Sequence, residues 1–277
     1  MYRKNRLLEM VEQKHVPLGI QMFSGSAAIV EILGQTGYDF VEIDTEHSPP
    51  NGSWHLEDLI RTAELAGLIP YVRVTSLLNE VEVRLALEAG AEGLFLPRVR
   101  SVEDIKRVAD AAFFPPQGRR RVCPSARAAN YNQSTYDRYI AWNNAEIALV
   151  PIIEMPEAIE DIDAICAHPG VKVLYFAPGN LAVQLGLGMG GMSSPRIEEA
   201  SRKVLDATVR HEKVLAGGPM VATPEACRKA LDEGIKIFSL GLDTLGFQQF
   251  CEQTVAAVNA GVKGTRFKRG SPPADHF

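Results

Sequence analysis

What most constrains the fold of this chain is a repeat of pattern rather than of sequence: eight short apolar stretches, each followed by a helix-forming segment. The stretches lie at residues 16–23, 40–44, 70–74, 93–97, 146–154, 171–177, 214–220 and 235–240. Helical periodicity fills the intervals at 26–34, 56–66, 80–89, 101–112, 156–166, 194–212, 223–233 and 244–260, after a short leading helix at 6–12. Punctuation agrees with that reading. Gly90, Gly234 and Gly261 stop helices, and Ser101 with Asp104 has an acidic form of capping-box spacing. Parallel strands alternating with helices eight times imply an α/β fold, a closed (β/α)8 TIM barrel forming one domain over residues 1–261. A doubly wound open sheet is the alternative. Residues 262–277 carry basic and proline residues without helical or strand period and are expected to be an irregular tail.

Composition removes several classes of function. A net charge of −5 and a pI near 5.8 argue against a nucleic-acid surface, and the basic run Arg119-Arg120-Arg121 is too short to change that. Cys123, Cys166, Cys227 and Cys251 have neither CxxC spacing nor neighbouring histidine pairs, so they read as reduced thiols. With no signal peptide or membrane span in the pattern, a cytoplasmic enzyme without membrane or nucleic-acid partners is expected. Residues 186–191 spell G-x-G-x-x-G but do not join a strand to a helix, and read as a flexible loop. Between 113 and 144 the pattern lapses into a connection rich in Pro, Arg, Asn and Tyr, a length that points to function.

Chemistry collects where the apolar stretches end. In a parallel barrel those ends converge on one mouth, making neighbours of residues far apart in sequence. Residues 40–51 deliver Asp44, Glu46 and His47 ahead of Pro49-Pro50-Asn51. Three residues separate Asp44 from His47, a spacing that allows the carboxylate to orient the imidazole for acid/base work; a turn aspartate and a plain loop histidine are the alternative. Glu46 reads as a structural acid of the mouth. Arg73, inside an apolar stretch, would either bind a substrate carboxylate or keto oxygen or pair with Asp44 or Glu46. Glu154 ends an apolar stretch, where an acid is costly without a partner or cation. It reads as a ligand for Mg²⁺ or Mn²⁺, or as a cap for the helix at Pro156.

Six pieces stand in an order that resembles the HpcH/HpaI aldolase family. They are Ile43-Asp44-Thr45-Glu46-His47-Ser48-Pro49, Tyr71-Val72-Arg73-Val74, Gly90-Ala91-Glu92-Gly93-Leu94, Pro115-Pro116-Gln117-Gly118-Arg119-Arg120, Ile153-Glu154-Met155 and Ala177-Pro178-Gly179-Asn180-Leu181-Ala182. The family includes 4-hydroxy-2-oxoheptanedioate aldolase, 2-dehydro-3-deoxyglucarate aldolase and macrophomate synthase. The resemblance implies a class II aldolase, a carbon-carbon lyase working through a pyruvate enolate drawn from a 4-hydroxy-2-oxo acid. His47 and Asp44 would be its acid/base pair, and Arg73 would hold the keto oxygen. Glu154 and Asn180 would hold the divalent metal (Mg²⁺, Mn²⁺ or Co²⁺), and backbone at Pro178 and Gly179 the pyruvate carboxylate. It also implies a homo-oligomer, a hexamer or trimer of dimers, that exchanges its last helix between subunits. Two departures stand out. Asn180 replaces the family's second metal carboxylate, and Ile152 replaces a glutamine, making one wall of the site more apolar. Weaker metal binding follows from the first. The alternatives are an enolate enzyme that decarboxylates oxaloacetate, and a binding protein that has lost catalysis at Asn180.

Overall fold

Eight parallel strands close on themselves in chain order in the computed structural model, which describes residues 4–48, 53–219 and 221–267. They are β1 (Leu18–Met22), β2 (Phe40–Asp44), β3 (Ile69–Arg73), β4 (Gly93–Leu96), β5 (Ala148–Ile153), β6 (Val173–Phe176), β7 (Val214–Gly217) and β8 (Ile237–Leu242). The barrel seam pairs Gly19 with Ser239, and the register slips between Gly19 and Gln21. The open-sheet alternative is thereby excluded: β8 bonds β1 and leaves no edge.

Alternation along the strands builds two cores. Side chains facing outward join the helices in the larger cluster, with Val41, Ile43, Val72, Leu94, Leu149 and Leu174 among them. The inward set is separate and aromatic at its centre: Phe40, Tyr71, Phe95 and Tyr175 meet edge to face, with centroids 6.2, 5.9 and 5.9 Å apart. Glycines make room for these rings. A Cβ on Gly19 would lie 2.2 Å from Phe40 Cζ, and one on Gly93 would lie 2.1 Å from Tyr71 Cε1. The leading helix (Arg6–Glu12) closes the far end: Leu7 joins the inner cluster, while buried Asn5 caps the helix and donates to Tyr71 Oη and to the carbonyls of Glu92 and Glu146. This aromatic plug makes the barrel a solid base, so polar side chains on the same strands can open only at the other end.

Several expected elements shift. A helix at Tyr136–Glu146 occupies the end of the connection that sequence pattern left irregular, and Glu146 closes this helix instead of opening β5. Its packing explains why periodicity hid it. Tyr139 and Asn143 bury against Arg120, whose guanidinium they accept from and which lies over the Phe114 ring, so polar side chains occupy core positions. The helix expected at 156–166 breaks into Pro156–Glu160 and Ile162–Ala167, with Asp161 between them accepting from Val102 N. Pro178 opens a helix, Pro178–Gln184, instead of a turn. The glycine-rich segment forms a short 3-10 turn at Met189–Ser193. Ser101 makes no side-chain cap; Asp104 supplies one by accepting from Arg100 N.

The last helix, Asp243–Val262, is unlike the others: none of its residues is buried, and Phe247 and Phe250 stack on each other while 66% and 62% exposed. Residues 49–51 and 268–277, where part of the opening loop and most of the tail were read, lie outside the described residues. Among those described, no helix is long and apolar enough to cross a membrane. The Gly93→Ala protein should be less stable than wild type by about 1–3 kcal/mol, because the new methyl drives into the Tyr71 ring. A lower urea midpoint at unchanged slope would show this.

Candidate functional site

Register puts the key side chains side by side. Asp44 and Arg73 are direct partners across β2 and β3, so alternation turns both inward at the same level. Arg73 Nε donates to Asp44 Oδ2, and it lies 3.5 Å from Glu46 Oε2 and 3.9 Å from Glu42 Oε1. One guanidinium thus answers three carboxylates of a single strand and its following loop. Burial on its own would make this arginine easier to deprotonate. Glu42, Asp44 and Glu46 together outweigh that and hold it charged beyond its ordinary range.

The second oxygen of Asp44 has another task. Oδ1 accepts from the backbone N–H groups of His47 and Ser48 at 2.7 and 3.0 Å, fixing the loop after β2. The expected contact between Asp44 and the His47 ring is therefore replaced by a contact to the His47 backbone. The imidazole itself stands with Nε2 3.5 Å from Glu46 Oε2, and it stacks on Phe23 with an interplanar angle of 4°. Phe23 also lies beneath the Arg73 guanidinium, whose Cζ is 5.3 Å from the ring centre. Glu46 thus bridges Arg73 and His47, a larger part than the structural one read from sequence. Burial raises its pKa above the usual carboxylate range, with Arg73 and His47 opposing the shift.

Beside Glu46 the strand ends form a cavity of about 190 Å³ that Arg73 itself does not line. Glu46 and His47 line it from the loop after β2, Arg98 from the loop after β4, Glu154 and Met155 from the end of β5, and Asn180 and Gln184 from the helix after β6. Glu154 is buried, and both its oxygens are engaged: Oε1 accepts from Arg98 N at 2.7 Å and Oε2 from Asn180 Nδ2. Arg98 adopts φ 55, a left-handed conformation uncommon outside glycine, at the residue that turns its N–H to Glu154. A larger groove of about 880 Å³ forms around Arg6, Arg61, Arg127 and Tyr131. It involves the leading helix that plugs the barrel, the end at which such barrels do not carry out chemistry.

Of the residues singled out in the sequence, His47, Glu154 and Asn180 come together in the cavity, with Asp44 and Arg73 buried next to Glu46. Pro178 and Gly179 are not among the lining residues. Gly179 is instead close to the Met189–Ser193 turn, where a Cβ would come within 3.3 Å of Met189 Cε and 3.4 Å of Met192 Sδ. Ile152 packs in the inner apolar cluster and does not wall the cavity. Arg98, Gln184 and Glu42 had gone unremarked. The first two follow strand ends without any motif, whereas Glu42, an acid at an inward position of an apolar strand, left a signal that could have been read.

A family model described as HpcH/HpaI aldolase/citrate lyase matches residues 19–249, which takes in every residue of the cavity and all the strands but for the first residue of β1. The chain belongs to that family. Curated relatives of this chain are named as aldolases, a class of carbon-carbon lyase. The 2-keto-3-deoxy-L-rhamnonate aldolase of Escherichia coli strain K12 is 28% identical over 272 residues, covering 95% of this chain and 97% of that protein. Among solved structures, the HpcH/HpaI aldolase from Desulfitobacterium hafniense DCB-2 superposes with a TM-score of 0.83 at 25% identity, over 96% of this chain and 99% of that one. Macrophomate synthase superposes with a TM-score of 0.82 at 27% identity, over 94% and 90%.

The ion pair and the imidazole should separate in a stability experiment. Asp44→Ala leaves a buried guanidinium short of its nearest partner and a loop without its acceptor, and should destabilise the fold by about 3 kcal/mol or more. The half-exposed His47 changed to alanine should stay within about 0.5 kcal/mol of wild type in the same urea titration.

Proposed function

We propose that this protein is a lyase that makes and breaks the carbon-carbon bond beside the keto group of a 2-oxo acid, with pyruvate as the enolate-forming half. One observation carries the reading: a charged, buried arginine lies 3.5 Å from Glu46, which lines a cavity whose walls also hold an imidazole, a second carboxylate and an amide, from three strand ends in all. An enolate oxygen needs a fixed positive charge in a place water does not reach, and Arg73 is such a charge. In cleavage His47 takes the proton of the substrate's 4-hydroxyl, directly or through one water. The C3–C4 bond then breaks, leaving the aldehyde on one side and its electron pair on the pyruvate half. Glu46, 3.5 Å from the ring, stabilises the imidazolium that results. Asp44 contributes by holding the loop and Arg73 in register.

Glu154 and Asn180 would hold a divalent cation, Mg²⁺ or Mn²⁺. Glu154 is the sort of ligand a hard cation takes, a buried carboxylate at a strand end, each of whose oxygens has a single partner among the described residues. Turning the Asn180 amide over presents its carbonyl oxygen in place of Nδ2. The pair fits a weakly held cation, with one negative charge where two carboxylates would bring two. When bound, the cation supplies Lewis acidity toward the keto oxygen. Pyruvate, an aldehyde panel and Mn²⁺ should give aldol product that EDTA suppresses, and persistence of full activity in EDTA would remove the metal from the reading. His47→Asn should lower kcat by about 10²–10⁴-fold with smaller effect on pyruvate KM. Asn180→Asp should tighten Mn²⁺ binding by about tenfold in calorimetry, since it restores a ligand charge.

The bare last helix supports assembly from several copies of this chain. Its apolar side chains, including Phe247, Phe250, Val255 and Val258, find no cover on their own barrel, which is what a helix lent to a neighbouring copy looks like. The protein should elute above monomer mass in size-exclusion chromatography with light scattering. Phe247→Glu with Phe250→Glu should shift it toward monomer. Four free cysteines accord with a reducing, cytoplasmic setting.

A further inference from the structure

Glu42 has no part in the lyase reading, yet it is the most deeply buried carboxylate near Arg73. It stands mid-strand on β2, 0% exposed, and neither carboxyl oxygen has a hydrogen-bond partner among the described residues. Arg73 Nη2 is buried and unpartnered as well. A carboxylate in such a place is costly when ionised unless a charge answers it, and Arg73 already answers Asp44 and Glu46 at shorter range. The groups facing Glu42 are few. Gln21 from β1 reaches toward it and favours the ionised form without a well-formed hydrogen bond. Arg73 from β3 also favours ionisation; Asp44 and Glu46 from its own strand and loop oppose it. Tyr175 from β6 has its hydroxyl held un-ionised by burial. Phe95, Ile152 and Ala216, inward from β4, β5 and β7, are apolar, and buried Ser239 on β8 is uncharged. Burial prevails and pushes the Glu42 carboxyl up to about 8.

We propose that Glu42 is a positioning residue that acts through Arg73: protonated, it leaves the guanidinium to the mouth of the barrel, and on losing its proton it draws the guanidinium inward and weakens keto-acid binding. The physical basis is competition. Three carboxylates within 4 Å share one arginine, and the third adds its negative charge from the barrel interior, where little water screens it. The neutral acid leaves Arg73 Nη2 free to donate elsewhere; the anion is a partner for it. This inference rests on the reading of Arg73 as the pyruvate-binding group.

The test compares wild type with Glu42→Gln, a neutral isostere of the protonated acid, by calorimetric titration of pyruvate in Mg²⁺ from pH 6 to pH 9.5. With only the protonated form competent, the binding-ready fraction falls from about 0.9 at pH 7 to about 0.1 at pH 9, so wild-type affinity should weaken about tenfold over that span. Glu42→Gln should lack that component, and KM for pyruvate should follow the same split with kcat little changed. Titration of any group other than Glu42 is common to both proteins and cancels in the comparison. Parallel pH profiles for the two would overturn the proposal. A melting series separates this inference from the reading beneath it. The folded protein keeps the Glu42 proton between about pH 4.5 and 8 while the unfolded chain has released it, so wild-type stability should fall with rising pH across that window and level off above it. If neither protein binds pyruvate at any pH, the reading of Arg73 fails. The melting difference then decides on Glu42 alone: a gap to Glu42→Gln that widens with pH upholds the buried proton, and a constant gap removes it.

Discussion

The acids that β2 and its loop bring to the mouth of this barrel depend on one buried guanidinium. Arg73 is the cation at the level where β2 and β3 turn their polar side chains inward, and β2 with its loop offers it Glu42, Asp44 and Glu46 in steps of two residues. Strand alternation makes that spacing meaningful, since residues two apart face the same way. Without Arg73 the same three acids would be a column of like charges on one strand, and the apolar plug of Phe40, Tyr71, Phe95 and Tyr175 beneath them would leave the lowest no path to water. With it, Asp44 has a charged partner on one oxygen, holds the loop by two N–H groups with the other and leaves His47 standing clear in the cavity.

The half of the mouth proposed to hold a cation is organised by a separate device. Glu154 is fixed by the backbone of Arg98 on one oxygen and by Asn180 on the other, so two neighbouring strand ends and one helix meet on a single carboxylate. An asparagine here does two things at once. It satisfies the carboxylate by donating to it, which an aspartate could not do, and it lowers the charge available to a cation. The chain therefore holds its site together through hydrogen bonds where a two-carboxylate site would depend on its metal for cohesion.

The fold was largely legible in the sequence because barrel strands are buried on both faces and stand out as apolar stretches between periodic helices. Helix ends at Gly90 and the span Glu80–Ala89 agree with the glycine signal, since Gly90 sits at φ 114. What escaped notice was structure built from polar side chains. The helix Tyr136–Glu146 buries Tyr139 and Asn143 around Arg120, and no hydrophobic period announces such a core. In the site, strand ends showed which residues share the mouth, but not which atoms meet. Asp44 and His47 are three apart, and whether the carboxylate faces ring or backbone is set by the loop's turn, which spacing leaves open. Likewise Glu46 looked incidental until β3 placed Arg73 within reach of it.

One contact at the barrel seam ties distant parts of the chain together. Asp243, the first residue of the last helix, accepts from the backbone of Phe23 and Ser24 and from the Ser24 hydroxyl, closing the loop after β1 onto β8. Phe23 in turn stacks on His47 and underlies Arg73. The helix that reaches out from the barrel thus begins two residue contacts away from the imidazole, and a change in its direction is transmitted as a change in the aromatic surface against which that imidazole rests. On the proposed reading, assembly through this helix and proton transfer at His47 would be mechanically joined, through the Asp243 carboxylate.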